Sequence, residues 1–325
     1  MKAIRCHTFG PPSNLKLEEV NAPHPRSNEV LIQVKACGLN FPDTLIIEGL
    51  YQFKPELPFT PGSDISGVVK AIGDAVKHLK IGDEVFGFVS HGGLAEEVVV
   101  PEKACFLKPS GMNYAVAASF MMAYGTSYHA LKDRAKLRKG ETLLVMGASG
   151  GVGLAAVELG KLMGATVIAA ASTNDKLELC KFYGADHLIN YTTGDLKTIL
   201  KNLTKGKGVD VIYDPVGGDF SEQAFRGIAW NGRFLVVGFA TGRIPKIPLN
   251  LPLLKGASIV GVFWGGFAMA FPKKNMENTV HLMNWYADNR LTPHIHDIVP
   301  LEATWKALND MKNRKIKGKI IVKVQ

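Results

Sequence analysis

The stretch TLLVMGASGGVG, residues 142–153, decides the fold of this chain. Residues 142–146 form an uninterrupted apolar run, which predicts a strand buried on both faces of a sheet. A glycine-rich turn follows and leads into residues 152–163, where apolar side chains recur at helical spacing. This order of strand, glycine turn and helix is typical of a loop that binds the pyrophosphate of a dinucleotide.

The turn supplies what a phosphate needs, which is little bulk and free N–H groups at the start of a helix. Ala148 replaces the first glycine of the usual G-x-G-x-x-G pattern, but the later glycines are present. The predicted phosphate-binding residues are Ser149, Gly150, Gly151 and Val152.

Strands and helices continue to alternate after this loop, which predicts an α/β fold with a doubly wound parallel Rossmann sheet. The predicted strands are 142–146, 166–171, 187–190, 209–213, 233–237 and 258–263, and the predicted helices between them include 176–183 and 220–229.

The chain before this region lacks the alternation of strands and helices and is predicted to be β-rich. Short apolar runs are bounded by Gly, Pro, Asn and Asp, as in strands joined by turns; they lie at 30–34, 67–72, 83–87 and 96–100. A helix at 274–289, a strand at 295–300, a helix at 302–314 and a strand at 319–324 close the chain. We therefore expect two domains: a β-rich domain of residues 1–124, to which residues 266–325 return, and a dinucleotide-binding domain of residues 125–265.

Composition excludes several functions for these 325 residues. The net charge is +9, but Lys and Arg are interleaved with Asp and Glu, and the one dense basic run, 312–323, is interrupted by apolar residues. We therefore do not expect nucleic-acid binding. No run approaches the ~20 apolar residues of a membrane span, and no signal segment begins the chain. The four cysteines form no CxxC pair, which favours a reducing cytoplasm and neither disulfides nor a cysteine zinc site.

The end of the second predicted strand indicates which nicotinamide cofactor is bound. An NAD site usually has an acidic residue there, whereas this chain has Ala171, Ser172 and Thr173. Ser172 can donate a hydrogen bond to a ribose 2′-phosphate, and Lys176 can supply the opposing charge. Asp175 is acidic and close, which counts against this interpretation. On balance we predict NADPH.

Several motifs together resemble the zinc-free quinone oxidoreductases, which are similar to zeta-crystallin and belong to the medium-chain dehydrogenase/reductase superfamily. The resemblance covers essentially the whole chain, and its motifs are 38–43 with 48–51, 61–69, 148–153, 213–218 and 261–264. It implies a GroES-like catalytic domain, a Rossmann domain with an active-site cleft between them, and a homodimer formed through the sixth strands.

The resemblance also implies residue roles. Ser172, Lys176 and Tyr191 match the positions that contact the 2′-phosphate and adenosine of NADPH, and Asn40, Asp43 and Tyr51 match catalytic cleft positions. The remaining cofactor positions, mostly on the nicotinamide side, match Thr126, Val216, Gly238, Phe239, Phe263, Trp264 and Lys319.

The zinc alcohol dehydrogenases of this superfamily bind their metal through an early Cys and a Gly-His-Glu motif. Here Asn40 and Gly62-Ser63-Asp64 stand at those places, so we expect no metal. An acceptor reduced without a Lewis acid should carry its own electron sink, as quinones and α,β-unsaturated carbonyls do. Asn40 and Tyr51 are the candidate hydrogen-bond donors, and Asp43 would orient Tyr51 or reach the nicotinamide ribose.

A purely structural role is the alternative for each of these residues: Asn40 could form a turn, Asp43 could form a turn or cap a helix, and Tyr51 could line the wall of the cleft. At the level of function, NADPH-dependent quinone reduction is the first hypothesis. An enoyl-type reductase acting on alkenals, enones or acyl-CoA thioesters is a second, with Lys273 and Lys274 as a candidate basic patch. A non-catalytic NADPH-binding or RNA-binding protein is a third.

Overall fold

The computed structural model describes all 325 residues of the chain. Its strands are β1 Lys2–Arg5, β2 Lys16–Glu19, β3 Glu29–Gly38, β4 Asp64–Ile72, β5 Glu84–Phe88, β6 Glu97–Pro101, β7 Cys105–Leu107, β8 Thr142–Met146, β9 Thr166–Ala171, β10 His187–Asn190, β11 Val209–Asp214, β12 Ile228–Val236, β13 Ser258–Gly261, β14 Ile295–Pro300 and β15 Lys319–Lys323. Its α-helices are α1 Phe41–Ile47, α2 Tyr114–Ala117, α3 Thr126–Tyr128, α4 Gly151–Leu162, α5 Asn174–Phe182, α6 Leu196–Leu203, α7 Asp219–Arg226, α8 Asn250–Lys255, α9 Trp264–Ala270, α10 Pro272–Ala287 and α11 Thr304–Lys312.

The chain forms two compact units. The first comprises residues 1–122 and 293–325, and the second comprises residues 123–292. The second unit therefore includes α9 and α10, which the sequence analysis assigned to the return toward the first domain. The difference has a clear cause, because Asn278 on α10 accepts a hydrogen bond from Lys132 (2.5 Å) and donates one to Asp133 (2.9 Å), both within the second unit.

The second unit contains a six-stranded sheet in the order β10-β9-β8-β11-β12-β13. All of its strand pairs are parallel, and β8 lies inside the sheet between β9 and β11. Residues 143–146 of β8 are fully buried, as their continuous apolar run predicts. The predicted α/β class with a doubly wound Rossmann sheet is confirmed.

The first unit contains a mainly antiparallel sheet in the order β14-β15-β3-β4-β5-β7, with β6 also paired to β3. The last strand of the chain, β15, pairs with β3 so that Ile321 lies opposite Gly38. This pairing brings the C-terminal strand beside the residues that immediately precede Asn40. It places Lys319, at the start of β15, next to the loop that leads into α1.

Neither disulfides nor membrane-spanning helices are part of this fold. All four cysteines are buried free thiols. No helix combines the length and the apolar character that crossing a membrane requires.

Candidate functional site

The turn between β8 and α4 has the close backbone packing expected of a phosphate loop. Gly147 adopts a φ of +57°, which favours glycine. A Cβ added to Gly153 would lie 2.3 Å from the carbonyl oxygen of Gly147, so only glycine fits at residue 153. The turn therefore brings the first residues of α4 directly against the end of β8.

This turn also leaves room where a pyrophosphate would lie. Gly150 precedes α4 as its N-cap, and no side chain caps the helix. A Cβ added to Gly150 would meet only the carbonyl oxygen of Gly147, at 3.5 Å. An uncapped helix N-terminus facing open space suits an anion because its N–H groups and the helix dipole attract negative charge. These residues therefore fit a dinucleotide.

The predicted 2′-phosphate residues are brought together at the end of β9. Lys176 lies in the first turn of α5, and its Nζ is 3.4 Å from the hydroxyl oxygen of Ser172. Thr192 donates a hydrogen bond to the backbone carbonyl of Ser172 at 3.2 Å, which ties the segment after β10 to the same place. Tyr191 precedes this threonine and packs against Phe220, with ring centroids 4.6 Å apart. A hydroxyl and an ammonium side by side are suitable donors to a phosphate.

Asp214, at the end of β11, organises the loop that contains Val216. Its Oδ1 accepts hydrogen bonds from the backbone N–H groups of Val216 (2.8 Å) and Gly217 (3.1 Å). Its carbonyl oxygen accepts a bond from the N–H of Gly238 at 3.3 Å, and Phe239 packs closely over Gly217. Buried Asp214 thus bonds directly to Val216 and Gly238, and Phe239 packs against the same loop, so three predicted nicotinamide-side residues lie close together. The sequence analysis included Asp214 only within the motif 213–218 and gave it no role, although an aspartate at the end of a strand and shortly before two glycines signals such a turn.

Of the remaining predicted nicotinamide-side residues, Thr126 begins α3 and Trp264 packs beside the residue before it. Thr126 is buried and follows Gly125, where an added Cβ would lie 2.8 Å from the indole of Trp264. The indole Nε1 donates a hydrogen bond to Asn275 at 3.0 Å, which fixes the orientation of the ring. Phe263 remains exposed. The structure therefore packs Trp264 against Gly125, the residue before Thr126, while Phe263, the neighbour of Trp264 in sequence, lies at the surface.

Two buried hydroxyls connect α3 to the phosphate loop, and the sequence analysis missed both. Ser127 donates a hydrogen bond to the carbonyl oxygen of Val152 at 2.8 Å, and its hydroxyl also bonds that of Tyr213 at 2.9 Å. Buried hydroxyls need such partners because an unsatisfied one costs about 1–3 kcal/mol. Ser127 and Tyr213 thereby fix the chain next to Thr126 relative to the first turn of α4.

In the first unit, Lys319 lies at the centre of a buried polar cluster. Its Nζ donates hydrogen bonds to Oδ1 of Asn40 at 2.5 Å and to Oδ2 of Asp64 at 3.2 Å. The Asn40 amide in turn donates to the carbonyl oxygen of Gly38 (3.3 Å) and to Asp64 (3.1 Å). Both amide hydrogens of Asn40 thus face protein acceptors. Lys319, which the resemblance assigned to the cofactor, is brought together here with Asn40.

Asp43 extends this cluster from the first turn of α1. Its Oδ2 accepts a hydrogen bond from the backbone N–H of Asn40 at 2.7 Å, which is the helix-cap role weighed from the sequence. Burial raises the pKa of Asp43 to about 6, against the opposing effects of this hydrogen bond and of the nearby Lys319 charge. Burial also raises the pKa of the Tyr51 hydroxyl, and the charge of Asp43 adds to this effect.

The positions that the resemblance matches to zinc donors hold a different set of groups. Asn40, Ser63 and Asp64 stand at these positions, and the ammonium of Lys319 provides a positive charge among them. Burial raises the pKa of Asp64, but Lys319 and Asn40 oppose that effect and favour the carboxylate. No three His, Cys, Asp or Glu side chains cluster closely enough to hold a metal ion.

A Rossmann unit with a phosphate loop, in one chain with an antiparallel unit closed by the last strand, is the architecture of the medium-chain dehydrogenases and reductases. Two family models match accordingly. The "Alcohol dehydrogenase GroES-like domain" matches residues 26–110, and the "Zinc-binding dehydrogenase" matches residues 151–284.

Whole-chain relatives narrow the class. The quinone oxidoreductase-like protein 2 homolog of Nematostella vectensis is 38% identical, over 99% of this chain and 88% of that protein. Quinone oxidoreductase-like protein 2 of Bos taurus is 36% identical, over 96% of this chain and 89% of that protein. The chain belongs to the quinone oxidoreductase-like family of the medium-chain dehydrogenase/reductase superfamily.

Solved structures with the same fold include proteins with different chemistries. The Escherichia coli quinone oxidoreductase in complex with NADPH has a TM-score of 0.92 and 27% identity, with 100% of both chains covered. An NAD-dependent alcohol dehydrogenase has a TM-score of 0.91 and 30% identity, also over 100% of both chains. The CurK enoyl reductase has a TM-score of 0.91 and 26% identity, over 100% of this chain and 99% of its own.

Gly150→Val should abolish tight dinucleotide binding without unfolding the protein. The backbone at Gly150 is extended and tolerates valine, but the new side chain would fill the space left for the pyrophosphate. We expect the Kd for NADPH, measured by fluorescence titration, to rise at least about tenfold. The free energy of unfolding should fall by no more than about 1 kcal/mol, the usual cost at an N-cap. Gly153→Val is the contrasting variant, since its Cβ collides with backbone and should lower stability instead. An unchanged NADPH affinity in Gly150→Val would show that the phosphate lies elsewhere.

Asp43→Asn should flatten the pH dependence of stability between about pH 4 and pH 7. A carboxyl with a raised pKa in the folded state stabilises the fold fully below its unfolded value of 3.8, and this contribution is lost as the pH rises through about 6. The natural protein should therefore lose up to about 3 kcal/mol across this range that the variant does not lose. Urea titrations at several pH values measure the difference. The exposed Asp288→Asn is the control, and parallel curves for Asp43→Asn and the natural protein would contradict the assignment.

Proposed function

We propose that this protein transfers hydride from NADPH to quinones without using zinc. The observation that supports this most directly is the buried ammonium of Lys319, bonded to Asn40 and Asp64. A fixed protein cation among these groups makes them poor ligands for a second, divalent cation, because like charges repel strongly in a buried environment. The donor set thus favours chemistry that needs no Lewis acid.

The choice of acceptor follows from this electrostatic argument. Reducing a simple ketone generates an alkoxide, which needs strong stabilisation by a metal or a good donor. A quinone spreads the developing negative charge over its own conjugated ring. The protein then has mainly to position the acceptor and to offer modest hydrogen bonds. Family membership in the quinone oxidoreductase-like group is consistent with this substrate class.

The residues of the second unit would hold the cofactor. NADPH, when bound, supplies a hydride from its nicotinamide ring. Ser149, Gly150, Gly151 and Val152 would bind the pyrophosphate through the start of α4. The 2′-phosphate and adenosine would be held by Ser172, Lys176 and Tyr191, and the nicotinamide side would be held by Thr126, Val216, Gly238, Phe239, Phe263 and Trp264.

The residues of the first unit would serve the acceptor. We assign the hydrogen bond to the acceptor oxygen to the Tyr51 hydroxyl, whose pKa is raised by burial and by the charge of Asp43, so that the neutral hydroxyl is the donor. Asp43, with a pKa of about 6, would influence the Tyr51 hydroxyl electrostatically and could exchange a proton near neutrality. Asn40 would act as a positioning residue, because both of its amide hydrogens already face protein acceptors. Lys319 would contribute a fixed positive charge near this group.

The preference for NADPH over NADH rests on Ser172 and Lys176. The 3.4 Å approach of the Lys176 ammonium to the Ser172 hydroxyl concentrates two donors at one point, as a phosphate requires. No carboxylate occupies residues 171–173, where an NAD site would have one. The Escherichia coli quinone oxidoreductase was solved with NADPH, whereas another protein of this fold is an NAD-dependent alcohol dehydrogenase. The fold alone therefore leaves the cofactor open, and these two side chains are what favours NADPH.

An NADPH-dependent enoyl or alkenal reductase is the second candidate function. The CurK enoyl reductase shares the fold at a TM-score of 0.91, and such an enzyme would need the same cofactor residues. Enones and enals also carry a conjugated electron sink. A substrate panel of quinones, enones, enoyl-CoA esters and secondary alcohols with NADPH would rank the two candidates.

The purified protein should oxidise NADPH much faster than NADH when it is given a benzoquinone or naphthoquinone. Metal chelators should leave this rate intact. Lys176→Ala should raise the KM for NADPH by about tenfold or more, since a charge-assisted hydrogen bond is lost, while the KM for NADH stays the same. Lys181→Ala, at the exposed end of the same helix, is the matched control. Comparable rates with both cofactors, or an unchanged KM in Lys176→Ala, would refute the assigned cofactor preference.

We also infer a homodimer formed through β13, in a reducing compartment such as the cytoplasm. β13 pairs with β12 on one side only and forms an edge of its sheet, and an open edge strand invites pairing with another chain. Exposed apolar side chains accompany this edge, including Ile259, Phe263 and Met269. The four buried free thiols are consistent with a reducing environment.

Ile259→Asp should convert the dimer to a monomer. Ile259 is 42% exposed on the β13 edge, and a carboxylate there would be desolvated by a pairing strand. Sedimentation analysis should show twice the chain mass for the natural protein and one chain mass for the variant. Ile298→Asp, on the exposed edge strand β14 of the first unit, should stay dimeric because it lies on the other sheet. A monomeric natural protein would rule out the proposed assembly.

A further inference from the structure

The loop after α1 exposes more apolar surface than its short length would suggest. Leu50 is 69% exposed and Phe53 is 43% exposed, and Leu57 at the end of the loop is also exposed. Phe9, a further exposed aromatic residue, packs against Gly49, where an added Cβ would lie 3.1 Å from its ring. We call Phe9, Leu50, Phe53 and Leu57 the apolar rim. Clustered apolar side chains of this kind mark binding surfaces more often than isolated ones do.

The start of the rim is held in place by its own backbone. Gly49 and Leu50 donate hydrogen bonds to the carbonyl oxygens of Ile46 (3.0 Å) and Leu45 (2.9 Å), which fasten the loop to the end of α1. Gly49 adopts a φ of +69°, as glycine does at such a helix end. Leu50 is therefore presented to solvent by a fixed turn.

The aromatic part of the rim is supported from below. The ring of Phe53 stacks on His91, with centroids 6.0 Å apart and an interplanar angle of 12°. His91 in turn meets the edge of buried Phe59 at 6.1 Å. Phe53 thus keeps one face on a stacked partner and remains 43% exposed. A surface that is ordered before binding loses little conformational entropy when a ligand binds.

In the sequence, the rim residues Leu50 and Phe53 flank Tyr51, the residue proposed to bind the acceptor oxygen. Tyr51 lies between Leu50 and Gln52 in the chain and packs against the hydrophobic core of the first unit. The loop carries Glu48, which pairs with Lys312, and then Lys54 and Glu56, which have opposite signs. The loop therefore offers apolar contact without a net charge that would attract an anionic group.

We propose that the apolar rim binds a hydrophobic substituent of the acceptor, so that the protein prefers uncharged quinones or enones with alkyl or aryl side chains over anionic thioesters. This inference rests on the proposed function, because it extends the acceptor site from Tyr51 outward. Each methylene of a substituent that is buried on the rim should improve kcat/KM about two- to fourfold. A CoA thioester would gain no charge complementarity from this loop.

The test uses benzoquinones that carry methyl, propyl or hexyl substituents, at saturating NADPH. In the natural protein, kcat/KM should rise with chain length. Leu50→Ser and Phe53→Ser should abolish this rise while the KM for NADPH stays unchanged. Ile81→Ser, which removes an equally exposed apolar side chain (64%) elsewhere in the first unit, should keep the rise. Calorimetric binding of the matching alkyl hydroquinones should show the same trend without requiring turnover.

The outcomes separate the two proposals. If no quinone or enone is reduced but hydroquinone binding strengthens with chain length and weakens in Leu50→Ser, the proposed function is wrong and the rim is supported. If quinones are reduced but neither kcat/KM nor binding depends on chain length, the rim proposal is overturned and the proposed function stands. A dependence that persists in both Leu50→Ser and Phe53→Ser also overturns the rim proposal, because another surface must then hold the substituent.

Discussion

The buried ion pair between Lys319 and Asp64 is the interaction on which the architecture of the first unit depends. Removing one partner of a buried pair typically costs about 3–5 kcal/mol, because the other charge is left unsatisfied. The pair joins the last strand, β15, to the start of β4, and Asn40 bridges the two side chains. Asn40 is also the N-cap of α1, so its hydrogen bonds to Lys319 and Asp64 fix the start of the helix that carries Asp43. The chemistry proposed for this unit thus rests on one buried positive charge that is hydrogen-bonded by Asn40 and Asp64.

The second unit organises its site by different means. Its candidate pyrophosphate-binding groups are backbone N–H groups, so the precision of the pyrophosphate site comes from how closely the chain packs rather than from side-chain charge. Gly153 allows α4 to approach the end of β8, and Asp214 folds the loop after β11 around its carboxylate. The hydroxyls of Ser127 and Tyr213 join these parts. A site built in this way tolerates little added bulk, because its tolerances are set by van der Waals contact.

Much of the fold could be predicted from the sequence because local patterns carry it. The apolar run of β8 and the bounds of β14 match the structure. Ser172 and Lys176, four positions apart in the chain, were both assigned to the ribose phosphate, and their side chains lie 3.4 Å apart. The contact between Lys319 and Asn40 spans 279 positions and exists only because β15 pairs with β3. No local pattern encodes such a contact. The sequence could therefore suggest Asn40 as a donor to the acceptor, but it could not show that both amide hydrogens are already engaged. Short helices such as α8, which contains Pro252, also lack the long apolar periodicity that reveals α4.

The order of the chain has a consequence for how the molecule is made. Residues 123–292 are contiguous, so the ribosome has delivered every strand of the parallel sheet before β14 is translated. The other unit is built from segments on both sides of residues 123–292, and Asn40 and Asp64 have no cationic partner in it until Lys319 emerges, after that entire intervening stretch. During that interval the nascent N-terminal sheet exposes the open flank of β3 that β15 will later cover. Nascent chains with open strand edges are prone to aggregate, so this half of the protein is the part for which a chaperone would matter most.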